Sequence, residues 1–111
     1  MDKLEKYRKA IQQVLSEHNQ YKSSYGEVEQ FIISDSQEDH YQLVSMGWEG
    51  DLRIFSCLIH IDIKEDKIWI QHDGTESGVG NELVELGIPP SKIVLGYHDP
   101  NIRQFTDFAV G

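Results

Sequence analysis

The stretch from His60 to His72, His-Ile-Asp-Ile-Lys-Glu-Asp-Lys-Ile-Trp-Ile-Gln-His, constrains the fold more than any other segment. Two runs of alternating apolar and polar residues flank a two-residue polar link, Glu65-Asp66. Period-two alternation across so short a link specifies a β-hairpin. With Glu65 and Asp66 as the turn, Ile63 faces Ile68 and Ile61 faces Ile70, stacking β-branched side chains on one side of a sheet. Continued along the strand, that side takes in Ile59, Cys57 and Phe55 and reads as the core face. The opposite face receives Asp62, His60, Leu58 and Ile54 from the first strand and Trp69 from the second.

The rest of the chain supplies what such a hairpin packs against. Residues Asp2 to about Asn19 place Leu4, Tyr7, Ile11, Val14, Leu15 and His18 on one stripe at three- and four-residue spacing, which predicts an amphipathic helix capped by Asp2. The segment from Tyr21 to Gly26 reads as a loop. Strands are expected at about Glu27–Ser34, His40–Trp48, Arg53–Lys64 and Lys67–His72. Their links are too short for parallel crossovers, so the strands form an antiparallel four-stranded meander. The register of the second strand stays open, because a one-residue slip exchanges its faces. Either Tyr41 and Leu43, or Val44, Met46 and Trp48, join the face bearing Trp69. A second helix is expected from Glu76 to Leu86, capped by Asp73 or Thr75 and ended by Gly87, followed by a short strand or buried extended segment at Ile93-Val-Leu-Gly96. An irregular tail follows, with room for a last short strand between Phe105 and Gly111. The fold class is α+β, in a single domain spanning 1–111.

Net charge is −9. The first 20 residues carry four basic and three acidic groups, which leaves six basic against sixteen acidic groups in the remainder. Nucleic-acid binding draws on phosphate neutralisation by Lys and Arg, so this body repels DNA. The lone cysteine, Cys57, permits no internal disulfide. The polar amino terminus and the lack of a long apolar run lead to an expectation of a cytoplasmic protein without a membrane segment.

Chemistry-bearing residues are sparse. Asp51 with Asp62-Ile-Lys64 matches the loose pattern of metal-dependent nucleases, where carboxylates hold a divalent ion beside a lysine. Yet Asp51 lies about 11 residues along the strand from Asp62, roughly 35 Å if extended, too far for one ion. His60 and Asp62 share a strand face and offer the beginning of a metal site. The sequence leaves His40, His72 and His98 on separate segments, so no metal site is assigned and His60 reads as an ordinary hydrogen-bonding histidine. His98-Asp99 reads as a turn before Pro100. The run from Gly74 to Glu82 lacks the ending of a phosphate loop, and its acidic residues would repel an anion. Cys57, placed on the core face, is disfavoured as a nucleophile.

Across its whole length the chain resembles the XisI-type excision-controlling factors of cyanobacteria. The resemblance rests on Asp2-Lys-Leu-Glu-Lys-Tyr-Arg8, His40-Tyr-Gln-Leu-Val44 with Gly47-Trp48, and Ile59-His-Ile-Asp-Ile-Lys64 with Lys67-Ile-Trp-Ile-Gln71. It continues through Asp73-Gly-Thr-Glu76, Glu82-Leu-Val84, Gly87-Ile-Pro89, Ile93-Val-Leu-Gly96 and Phe108-Ala-Val110. Asp99 and Asp107 stand where Pro and Gly are expected in relatives. The resemblance implies a role in excision of the fdxN element, a programmed DNA rearrangement of heterocyst differentiation. It implies two partners, the companion protein XisH and a site-specific recombinase, XisF. XisH resembles endonucleases, so the DNA chemistry would belong to partners. The expectation is therefore a non-enzymatic accessory factor without a cofactor, binding an XisH-like protein and self-associating as a homo-oligomer. Its contact surface is expected on the Trp69 face, with Leu58, His60 and Ile54, since a sheet face rich in large apolar groups is seldom left open. The alternative is a metal-dependent nuclease using Asp62 and Lys64.

Overall fold

Asp2 accepts a hydrogen bond from the Glu5 amide at 2.9 Å and caps helix α1, Lys3–Asn19. The computed structural model describes residues 2–20 and 27–111. The segment 21–26, read above as a loop, lies outside the described residues. Tyr7, Ala10, Ile11, Val14 and Leu15 form the buried stripe of α1, with Leu4 packed at its margin. At its far end the half-buried His18 ring sits 2.8 Å from Glu82.

Four strands follow as an antiparallel meander: β1 (Glu27–Asp35), β2 (His40–Glu49), β3 (Leu52–Lys64) and β4 (Lys67–Asp73). Glu65 and Asp66 form the β3–β4 turn with φ of +53° and +62°, the left-handed pair that matches the twist of a two-residue hairpin. A fifth strand, β5 (Ile93–Leu95), joins the sheet parallel to β4, giving the order β1-β2-β3-β4-β5. The sheet thus has five strands rather than the four of the meander. The connection from β4 to β5 runs through helix α2 (Val79–Glu85) and a short 3-10 turn, long enough for a parallel crossover. All three β5 residues are buried, as a parallel strand covered on both faces requires.

Helix α2 begins three residues later than the sequence suggests. The Asp73 carboxylate accepts from the amides of Thr75 (2.9 Å) and Val79 (2.8 Å), holding the intervening residues in a side-chain-bridged loop. Gly78, at φ +87°, lies outside helical space, and Gly87, at φ +96°, ends α2. The tail is more regular than expected: Asp99 caps a four-residue helix, α3 (Pro100–Arg103), and Ala109 then bridges to Val94.

The isoleucine pairs Ile63–Ile68 and Ile61–Ile70 are in the expected register. Below them, β3 departs from simple alternation. The β2–β3 ladder runs from Glu49–Leu52 to Val44–Cys57 and resumes at Leu43–Ile59, leaving Leu58 as a β-bulge. Leu58 and Ile59 therefore both turn toward the helices, and Leu58 packs against the core. Beyond the bulge the faces exchange. Cys57, opposite Val44, and Phe55, opposite Met46, lie on the face away from the helices, and Phe55 is 76% exposed. Ile54, opposite Gly47, falls on the helix side. The expected positions of Cys57, Phe55, Leu58 and Ile54 are corrected together, because one extra residue inverts every side chain after it. Of the two registers left open for β2, the one with Val44, Met46 and Trp48 on the free face is adopted.

The helices α1 and α2 cover one face of the sheet, closing over Tyr41, Leu43 and the isoleucines of β3, β4 and β5. At the rim, Asp39 accepts from Arg8 Nε (2.8 Å), Arg8 Nη2 (3.1 Å) and the Tyr41 hydroxyl (2.7 Å), tying α1 to the β1–β2 turn. The Arg8 guanidinium holds the Asp39 carboxyl below its ordinary range. Burial, aided by Asp39, pushes the Tyr41 hydroxyl up to about 12.

Candidate functional site

The free face of the sheet has two parts. At the end nearer the β3–β4 turn, register places His40 opposite Asp62 and Gln42 opposite His60. His40 Nδ1 lies 2.7 Å and His60 Nε2 lies 2.8 Å from the same Asp62 oxygen, Oδ1. The other Asp62 oxygen accepts from Gln71 Nε2 at 3.3 Å, and His60 Nδ1 is 2.8 Å from Gln42 Nε2. Gln71 reaches Asp62 because it is the extra residue of a second bulge, between the His60–His72 and Ile61–Ile70 pairs. Among the described residues, His40, His60 and Asp62 group ligand atoms within 4.8 Å of one another. The set sits on β2 and β3, two interior strands, so its backbone is held from both sides.

The electrostatics follow from these contacts. Burial raises the Asp62 carboxyl, but hydrogen bonds from His40 and His60 outweigh it and the net displacement is downward. The Asp62 hydrogen bond raises His40. Asp62 is the more enclosed partner, and the His40 side chain is 59% exposed.

Toward the β2–β3 turn the same face becomes apolar. Phe55 (76% exposed) and Trp48 (49%) stand open to solvent beside the partly covered Met46, while Ile33 (48%), on β1, lies level with Gln42 at the polar end, beyond the partly covered Phe31. On this face the C-terminal segment reaches the opposite edge. There Arg103 lies 5.4 Å and Lys64 lies 4.1 Å from the Trp69 ring centre, and the Ala109 amide donates to the Ile93 carbonyl.

The residues expected at a contact surface therefore separate. Trp69 is on the free face but half-covered by two cations. His60 is engaged in the Asp62 group, while Leu58 and Ile54 lie on the helix side. The aromatic residue most open on the free face is Phe55, a residue the sequence places on the core face. The nuclease pattern is not assembled: Asp51 belongs to the turn before β3, whereas Asp62 lies near the far end of that strand. The Lys64 ammonium is turned to Trp69. Cys57 donates to the Ile59 carbonyl, and burial pushes its thiol up, away from the thiolate that nucleophilic work needs. His98 packs beside Tyr97 and His72 stays outside the Asp62 group, while Asp99 caps α3. His40 is the member that sequence reasoning left out. Its signal was the β2–β3 pairing, which becomes readable only once the Leu58 bulge is known.

These features define a small α+β protein with a helix-backed sheet whose free face carries a His–His–Asp group beside an apolar patch. The chain belongs to the XisI protein family, whose model matches residues 1–110. It is similar to a XisI-like protein from Anabaena variabilis ATCC 29413, with 40% identity and a TM-score of 0.91 over 97% of this chain and 99% of that one. It is also similar to the fdxN element excision controlling factor XisI from the same organism, with 34% identity and a TM-score of 0.87 over 99% and 100% of the two chains. No curated protein matches the chain. Among the described residues, no helix is long and apolar enough to cross a membrane.

Proposed function

We propose that this protein is a non-enzymatic accessory factor in the control of excision of a DNA element, the role named for its relative from Anabaena variabilis. It acts in the cytoplasm through protein contacts, with an XisH-like protein as the direct partner and a site-specific recombinase in the same machinery. The observation that carries this reading is the free apolar patch around Phe55 and Trp48, with Met46 beside them. Large aromatic side chains left open on the face of a folded sheet mark a docking surface. The net charge of −9 favours a protein partner over a DNA duplex. The contact surface moves accordingly, from the half-covered Trp69 toward Phe55. The same patch serves self-association when the partner is absent.

The test is Phe55→Glu in the full chain, followed by light scattering for oligomer size and by capture of the purified XisH-like protein. Loss of partner capture, with unchanged thermal unfolding, is the expected result. Undiminished capture and an unchanged oligomer would remove the patch from the function. A gel shift on duplex DNA at physiological salt is expected to show no binding.

A further inference from the structure

We infer that His40 Nδ1, His60 Nε2 and an Asp62 carboxylate oxygen form a binding site for a borderline divalent transition metal, of the zinc or cobalt(II) type. The donor set is two imidazoles and one carboxylate, which suits zinc and cobalt rather than the all-oxygen sites of magnesium and calcium. Both imidazole nitrogens already converge on one carboxylate oxygen, at 2.7 and 2.8 Å. Tetrahedral zinc, with bonds of about 2.0–2.2 Å, places its ligand atoms roughly 3.3–3.5 Å apart. All three atoms already lie within 4.8 Å of one another, close to that spacing.

The supporting contacts are those of a built site. A metal-bound histidine needs a partner for its other ring nitrogen. His60 has one in Gln42, 2.8 Å from Nδ1. When Nε2 gives up its proton to bind metal, Nδ1 carries the hydrogen, and a flip of the Gln42 amide turns its oxygen to accept it. Gln71 holds the second Asp62 oxygen, fixing the carboxylate plane. His40, the most exposed of the three, gives the ion its way in from solvent. Three protein ligands leave one tetrahedral position open toward the free face. The proposal concerns binding and does not depend on the docking of a partner.

The experiment titrates purified full-length protein with cobalt(II) chloride, followed by visible absorption, and then with zinc chloride by calorimetry. One ion per chain is expected to bind at micromolar or tighter affinity, zinc displacing cobalt and millimolar magnesium displacing neither. His40→Ala and Asp62→Asn should each weaken zinc binding roughly tenfold or more. Acidification from pH 7.5 to 5.5 should also weaken it, since metal ligands must be deprotonated to bind. Thermal unfolding reports whether each variant folds. His40 is exposed, so its variant decides alone if Asp62→Asn unfolds. Absence of saturable cobalt or zinc binding, wild-type affinity in folded His40→Ala, or equal competition by magnesium would each overturn the site.

Discussion

The two faces of the sheet are built from the same strands by different rules. The helix-backed face is closed: Ile59, Ile61 and Ile63 of β3 meet Ile68 and Ile70 of β4 under α1 and α2, with almost no surface left to water. The free face holds hydrogen-bonded polar side chains at one end, open aromatics at the other, and Arg103 of the C-terminal segment over Trp69. One strand, β3, serves both faces, and the Leu58 bulge is where it changes allegiance. Stability is invested above the bulge on the closed side, and recognition is left to what the bulge turns outward.

That division predicts a wide gap between two large-to-small changes on one strand. Ile61→Ala removes a fully buried side chain and leaves a cavity, so it should cost about 2–5 kcal/mol in urea unfolding. Phe55→Ala removes a larger side chain that is mostly in water, and should change stability by no more than about 0.5 kcal/mol. Comparable losses for the two would mean that β3 does not bulge and that Phe55 lies in the core.

How far the sequence reveals this arrangement depends on the same residue. The β3–β4 hairpin is legible because Glu65-Asp66 leaves one turn and the isoleucines leave one face. Helix α1 is legible from its stripe and its Asp2 cap. The run Cys57-Leu58-Ile59, by contrast, is apolar at three consecutive positions, so period-two alternation gives no sign of where an extra residue sits. An unbulged pairing from the Glu49–Leu52 turn would set Asp39 opposite Asp62; the bulge advances the register by one and sets His40 there. The misplaced core residues and the missing third member of the polar group are one error with one cause. β5 is legible as a short strand or buried extended segment but its place parallel to β4 is not, since three residues carry no pairing information of their own.

Gly47 gives a second, somewhat smaller way to break the comparison, because the β1 backbone runs hard against it on β2. Its φ is +151°, and a Cβ there would stand 2.0 Å from the Glu27 carbonyl oxygen and 2.7 Å from Val28 Cα. Backbone atoms on an adjacent strand cannot yield as a side-chain tip can. Gly47→Ala should therefore cost about 2–3 kcal/mol. The damage should concentrate at the β1–β2 pairing, while the His40–Asp62 end keeps its amide protection in hydrogen exchange. Uniform loss of protection across all five strands would show that the two ends of the free face do not open separately.

The smallest expected effect separates the faces between two consecutive residues. Asp39 is tied to Arg8 and Tyr41 toward α1, while His40 points the other way to Asp62. The two have opposite pH signatures. Asp39 is held below its ordinary 3.8, so its contribution is present above that pH and is lost as pH falls through the depressed folded value. His40 is raised above its ordinary 6.5, so its contribution is complete below that pH and is lost as pH rises through the folded value. Both are at full strength together only between those two ordinary values. Carbon-detected NMR titration should place Asp39 below 3.8 and His40 above 6.5. Arg8→Ala should return Asp39 upward without moving His40, and Asp62→Asn should return His40 downward without moving Asp39. A variant that moved both would mean that the rim titrates as one network, with no division between the clamp on the closed face and the polar group on the free one.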